Sequence, residues 1–288
     1  MAERIVSLLP SATEILWFLG IGDRVVGVTY ECNTPPEAAE RPHVTDTIIP
    51  AGSTPAEIDA VVNAAVAAGR ELYQLDRELL ASLDPDLIVT QDLCRVCALP
   101  SGDVDAAVAE LGCRAEVFSY DPMTLDGVLD EIERLGAVAG STDATERVGE
   151  LRTRLCAIRA ANDGRARPRV LLLEWIDPAF TAGHWIPDQI VAAGGEPVLG
   201  HPGGRSAEVS WTEVAESQAE VLIVAPCGFD EAAARAQLDD LLTRPEVAGL
   251  PAIAAGRVHA IDADAYVVRP GPRLVDGVEQ LTRLIHSS

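Results

Sequence analysis

The sequence contains no lysine. All 22 basic residues are arginines, set against 45 Asp and Glu, so the formal net charge is −23 and the pI is near 4.4. Without lysine there is no P-loop NTPase, whose motif places a lysine on the phosphates. Schiff-base and PLP chemistry are excluded for the same reason. So negative a chain does not bind nucleic acid or anionic membrane through bulk electrostatics. Aromatic residues are scarce at 4%, which makes each loop Trp or Tyr informative. Six cysteines in 288 residues are too few for a disulfide scaffold. Apolar runs are short: none approaches the roughly 18 residues of a transmembrane helix, so no membrane insertion is expected. The opening MAERIVSLLPSATEILWFLG has a weak basic start and an apolar run broken by Pro10, unlike a signal peptide. It reads as the first strand of a cytoplasmic protein, the alternative being an exported protein whose signal has been removed. No Gly-x-Ser-x-Gly elbow supports a hydrolase, and no Gly-x-Gly-x-x-Gly follows a first strand to support dinucleotide binding.

What is present is a regular α/β pattern. Hydrophobic residues at 48% are enough for a packed core, and the length suits about two domains. Strands are expected at 4–8, 24–28, 87–90, 115–118, 169–173, 221–225 and 258–261. These runs of Val, Ile and Leu lack strict alternation, as strands buried on both faces of a parallel sheet do. Helix start signals separate them. Ser11-x-x-Glu14 reads as a capping box. Thr54-Pro55-Ala56-Glu57 combines N-cap, proline at N1 and glutamate at N3, and Gly69 closes that helix. From Thr124 to about Asn162 the pattern is helical with no strand, and Gly140–Asp143 kinks or interrupts it. The expected organisation is an α/β lobe over 1–122, a linking helical segment over 123–164, and a second α/β lobe over 165–288.

Ligands in such folds collect at the carboxyl ends of the strands, so the loops there hold the candidates. After the second strand come Tyr30 and Cys32. After the third come Asp92, Cys94 and Cys97; this Cys-x-x-Cys fits a redox pair, half a zinc site or ligand-contacting thiols. Cys227 follows another strand and is a further candidate thiol. The densest cluster is Trp175, Phe180, His184 and Trp185, two of the four tryptophans with a histidine and carboxylates nearby; aromatic loops suit flat, partly apolar ligands. Trp211 precedes a helix, as core or as cleft wall. Tyr266 and Arg269 follow the last strand and suit an anion or amide contact.

Several stretches resemble one family. Arg4-Ile-Val-Ser-Leu-Leu-Pro-Ser-Ala-Thr-Glu-Ile-Leu, then Leu19-Gly20 and Val25-Val26-Gly27-Val28, look like the first strand-helix-strand of the cobalamin and iron-siderophore class of substrate-binding proteins of ABC importers. Leu83-Asp84-Pro85-Asp86-Leu87-Ile88-Val89 resembles its "PDLV" strand. Asp177-Pro178-Ala179-Phe180-Thr181-Ala182-Gly183, with Ala193-Gly194-Gly195 and Val209-Ser210-Trp211, is similar to the vitamin B12-binding members. The resemblance covers nearly the whole chain. It implies two Rossmann-like lobes with parallel sheets joined by a long rigid helix (a class III periplasmic-binding-protein fold), a cleft for a metal chelate, and no enzymatic activity. Carried over, Trp211 would flank a corrin and the Phe180–Gly183 loop would line the cleft. Asp76 and Glu216 would meet the arginines of an importer permease. The chain departs from the family in lacking an export signal, in a helical insertion at about 55–72, and in adding Cys94/Cys97, His184-Trp185 and Cys227. His184, Cys94, Cys97 and Cys227 are therefore also candidate metal contacts, as axial ligands to a bound cobalamin, other corrinoid or iron chelate. No resident cofactor is required. The expected function is binding of a corrinoid or related metal chelate such as an iron-siderophore; the alternative is a redox or metal-dependent enzyme using Cys94 and Cys97.

Overall fold

A computed structural model of the chain describes residues 2–50, 52–93 and 100–287. The chain divides into two compact units, one formed by Met1–Asp121 with Leu129–Gly149, the other by Pro122–Val128 with Glu150–Ser288. The expected linking segment is thus shared between the units. In chain order the first stretch contains β1 (Ile5–Ser7), α1 (Pro10–Phe18), β2 (Val25–Val28), β3 (Thr45–Thr47), α2 (Pro55–Ala67), β4 (Tyr73–Leu75), α3 (Arg77–Leu83), β5 (Leu87–Thr90), α4 (Ser101–Leu111) and β6 (Glu116–Ser119). Helices α5 (Leu125–Ala139) and α6 (Ala144–Asn162) follow. Then come β7 (Arg169–Ile176), β8 (Ala179–Thr181), α7 (Ile186–Ala192), β9 (Glu196–Pro197), α8 (Trp211–Glu216), β10 (Val221–Val224), α9 (Glu231–Leu241), α10 (Pro251–Ala254), β11 (Val258–Ala260), α11 (Ala263–Tyr266) and α12 (Leu274–Ile285).

The first unit is built on a parallel sheet of order β2-β1-β5-β6. The connection from β1 runs to β2 on one side and that from β5 runs to β6 on the other, so the β1–β5 edge is a topological switch point, where ligands of open α/β sheets collect at the strand carboxyl ends. The second unit has the order β11-β10-β7-β8; β7, β10 and β11 are parallel, β8 turns back antiparallel on β7, and β9 joins β7 in parallel. Ile5, Val6 and Leu87–Val89 in one sheet, and Val221–Val224 in the other, are almost completely buried. This is why these runs carry no polar alternation: both faces are covered by helices. All seven expected strands form, one with both ends as expected and the others with ends shifted by at most three residues. The strands not anticipated are β3, β4, β8 and β9, each of two or three residues. β3 and β4 form an isolated antiparallel pair, too short and polar to show a periodicity.

Local chemistry explains most helix boundaries. Thr54 and Glu57 form the reciprocal capping box, with Glu57 N–H donating to Thr54 Oγ1 and Thr54 N–H to Glu57 Oε2. Gly140 ends α5 at φ +75°, the left-handed conformation of a C′ residue, while Ser141 N–H closes on Gly136 O at 2.8 Å. The helical stretch is therefore interrupted at 140–143. The Ser11 box does not form: α1 begins at Pro10, its N-cap Leu9 makes no side-chain cap, and Ser11 is buried inside the helix. Proline at N1 sets the start, because its missing N–H leaves no orphan donor there. In α12, Leu274, Val275, Val278, Leu281 and Ile285 form one buried stripe that packs against α7 and α11. Each such side chain contributes about 1.5–3 kcal/mol on burial.

Candidate functional site

At the strand ends of the first unit, the side chains mostly serve one another. Thr13 Oγ1 donates to Ser7 Oγ at 2.8 Å and lies 2.9 Å from Cys32 Sγ, while Ser7 Oγ donates to Leu9 O. This network ties the end of β1 to α1. Cys32 is 1% exposed, so the expectation that it contacts a ligand is corrected: its thiol is an internal hydrogen-bonding group. Tyr30 is half-buried, its ring 6.2 Å from that of Tyr73 and its hydroxyl donating to Glu31 Oε1 at 3.0 Å. Burial, then the Glu31 charge, raises its pKa well above the ordinary phenol value, so it stays a neutral donor. Asp92 is exposed and accepts from Ser101 N–H (2.8 Å), Ser101 Oγ (2.5 Å) and Ser119 Oγ (3.0 Å). Asp121 accepts from the amides of Asp92 and Leu93 at 2.6 and 2.7 Å. Asp92 thereby anchors the start of α4 to the end of β6. Cys94 and Cys97 lie outside the described residues.

The second unit gathers aromatic and charged groups at the carboxyl ends of β7, β10 and β11. Trp175 and Phe180 are register partners across the β7–β8 hairpin. The Trp175 ring also lies 5.8 Å from that of Phe229, at a tilt of 56°. Trp175 Nε1–H donates to Asp177 O, which fixes the indole over the turn. Cys227 is exposed, and its amide donates to Glu174 O at 3.1 Å, drawing the loop after β10 onto β7. From β11, Asp264 accepts from Gly228 N–H at 3.0 Å and pairs with Arg269 at 2.5 Å; the two side chains are 22% and 12% exposed. Trp175, Cys227, Phe229, Asp264 and Arg269 are thus linked into one wall through bonds between three strand ends. Phe229 and Asp264 were not anticipated; their signal is position, Phe229 in the loop after β10 and Asp264 in α11 directly after β11. Trp211 lies apart from these links: its ring packs on the core of the unit, with the Arg244 guanidinium carbon 4.5 Å from its centroid and Arg244 pairing with Asp177 at 3.8 Å.

Two expectations for the loop after β8 are corrected. Trp185 is 5% exposed and donates through Nε1–H to Val267 O at 2.7 Å; it joins the loop after α11 to the core and offers no surface to a ligand. His184 sits at φ +54°, its amide donating to Gly204 O and its carbonyl accepting from Gly203 N–H. Its Nε2 is buried without a partner, and burial, then Arg205, lowers its pKa. The Nε2 is closed to solvent, which removes the role expected for that nitrogen as an axial metal ligand. Of the Phe180–Gly183 loop only Phe180 is partly exposed. A Cβ on Gly183 would lie 2.0 Å from Ser206 N, so the loop is packed beneath residues 205–206. Tyr266 is partly exposed, and its carbonyl accepts from Gln189 Nε2 at 3.0 Å. Among the described residues, no group of three or more His, Cys, Asp and Glu side chains could hold a metal ion. Asp76 and Glu216 are both exposed; Asp76 also caps α3 by accepting from Leu79 N–H.

An aromatic and arginine-bearing wall at the carboxyl ends of parallel strands occupies the place where α/β proteins hold their ligands. The chain belongs to the periplasmic binding protein family, which it matches over residues 5–265. It is 27% identical over 284 residues to the vitamin B12-binding protein of Vibrio cholerae serotype O1, covering 97% of this chain and 88% of that one. Its structure superposes on the periplasmic vitamin B12 binding protein BtuF of Vibrio cholerae with a TM-score of 0.73 at 25% identity, over 99% of this chain and 96% of that one. It superposes equally, at 0.73 and 25% identity over 99% and 98% of the chains, on the periplasmic heme-binding protein RhuT from Roseiflexus sp. RS-1. The family and the fold class are those the sequence resemblance implied.

Proposed function

We propose that the protein binds a corrinoid or a related metal chelate against the wall formed by Trp175, Phe180 and Phe229. The carrying observation is the Trp175–Phe229 pair beside the Asp264–Arg269 pair. It couples a flat apolar surface to a fixed guanidinium, which suits a macrocycle with amide or carboxylate side chains. Relatives named for vitamin B12 and heme support the same ligand class. Binding rather than catalysis is the activity of the family. In this reading a permease of the ABC importer type is the partner, with exposed Asp76 and Glu216 as its contacts. Reversing both to Arg would abolish delivery to the permease and leave ligand affinity unchanged; unchanged delivery would remove these two contacts.

The test is a thermal-shift panel of corrinoids, heme, ferric siderophores and divalent metals. A ligand present at about 100 times its Kd adds about 2.7 kcal/mol to stability. Trp175→Ala should weaken binding of the responding chelate about tenfold or more, the scale of one aromatic contact. A panel with no response, or a response that Trp175→Ala leaves untouched, overturns the assignment.

A further inference from the structure

The second unit has a cavity at the edge of its sheet opposite the aromatic wall. It has a volume of about 570 Å3, and its lining includes Arg167, Glu220, Arg257, Ile285 and His286. The residues just before β7, β10 and β11 contribute to it, so it sits where three parallel strands begin. In a chain with twice as many acids as arginines, this place collects cations. Among the described residues, none of Arg165, Arg167 and Arg257 has a carboxylate within ion-pairing distance. Their bonds go instead to uncharged groups: Arg165 to Asn162 Oδ1 at 3.1 Å, Arg167 to Gly195 O at 3.0 Å, and Arg257 to Ile285 O. Arg257 Nε is buried and has no acceptor at all, a condition rare in folded proteins. His286 Nε2 lies 3.1 Å from Ala193 O. Glu220 is the one carboxylate among the described lining residues, and it already accepts from Arg169 N–H at 2.8 Å.

We propose that this cavity is a second ligand site, selective for an oxyanion of the phosphate or carboxylate class. A planar guanidinium presents parallel N–H donors that match two oxygens of such an anion, and the lining supplies two guanidinium groups, those of Arg167 and Arg257. Among the described lining residues only Glu220 stands against Arg167 and Arg257, neither of them ion-paired, and the anion supplies the further negative charge. The volume leaves room for an organic substituent beyond the charged group. This site is independent of the aromatic wall and of the ligand bound there.

Calorimetric titration of the intact protein with inorganic phosphate and with citrate tests it, using chloride at matched ionic strength as reference. Saturable binding of one or both is expected, and which of them binds separates a phosphate ligand from a carboxylate one. Arg257→Gln should weaken it about tenfold, the scale of one charge-assisted contact. Since Arg257 also holds the end of α12, Arg167→Gln is the second variant and should act in the same direction. Glu220→Gln removes the opposing charge and should tighten binding about threefold. In the His286 ring NMR signal, anion binding should raise the pKa that burial, Arg165 and Arg257 now lower. No saturable binding above the chloride reference, or binding indifferent to both Arg167→Gln and Glu220→Gln, overturns the proposal.

Discussion

Gly277 offers the sharpest test of how the second unit holds the segment Tyr266–Arg269. It lies inside α12, where alanine is ordinarily better than glycine by about 1 kcal/mol. Here the sign reverses. A Cβ at this position would lie 1.9 Å from Tyr266 O and 2.8 Å from Gln189 Nε2. The first neighbour is backbone, at the end of α11, and it cannot rotate away. Gln189 is fully buried and donates to both Tyr266 O and Leu274 O at 3.0 Å. Gly277→Ala must therefore push α12 off α11, with overpacking of about 1–3 kcal/mol. It also strains two buried hydrogen bonds of about 1 kcal/mol each. Against the helix gain, the net loss is about 2–4 kcal/mol. Urea unfolding reads it directly as a fall in midpoint. The same displacement moves Tyr266 and, three residues on, Arg269, so ligand affinity should fall with stability. Gly149→Ala in α6 is the control: nothing lies within 4 Å of its added Cβ, and it should stabilise by about 0.5–1 kcal/mol. Equal or higher stability for Gly277→Ala would refute the reasoning.

Acid should destabilise the second unit through its histidines. His184, His259 and His286 have pKa values below the usual 6.5, each chiefly by burial, with Arg205, Arg257 and Arg165 respectively next in effect. The folded state favours their neutral forms, so their contribution is complete above pH 6.5 and is lost as the pH falls through the depressed folded values. Urea midpoints should drop between pH 7 and 5, and His259→Leu should flatten that drop; a midpoint constant over this range contradicts it. Thiol labelling followed by peptide mass analysis should find Cys156 and Cys227 modified in the native protein, since both are exposed. Cys32 should react only on unfolding, and fast native labelling of it would contradict its burial beside Thr13.

Strand and helix order was legible from the amino acids because burial on both faces of a parallel strand demands an unbroken apolar run, as in Leu87–Val89 and Val221–Val224. The boundary signals at Thr54–Glu57 and Gly140 were legible because they act within one helical turn. Family membership was legible for a related reason: short motifs such as Asp84–Val89 record local geometry that the fold requires. The candidate site was legible only in part. Trp175, Cys227 and Arg269 stand at the strand ends, because segments after parallel strands emerge on one edge, whereas Phe180 lies within the antiparallel strand β8. Whether a side chain in such a loop faces outward depends on what else lands there. Cys32 is covered by α1, Trp185 reaches Val267 some eighty residues away, and His184 is held by the loop at Gly203–Gly204. The lysine-free, acid-rich composition by itself determined which chemistries are absent. It said nothing of where the arginines go. Only the tertiary structure paired Arg269 with Asp264 at one edge of the sheet and brought Arg167 and Arg257 together, without an ion pair among the described residues, at the other. Charge pairing depends on distances of a few ångströms, and the meeting of Arg167 with Arg257, ninety residues on, is one that no local pattern encodes.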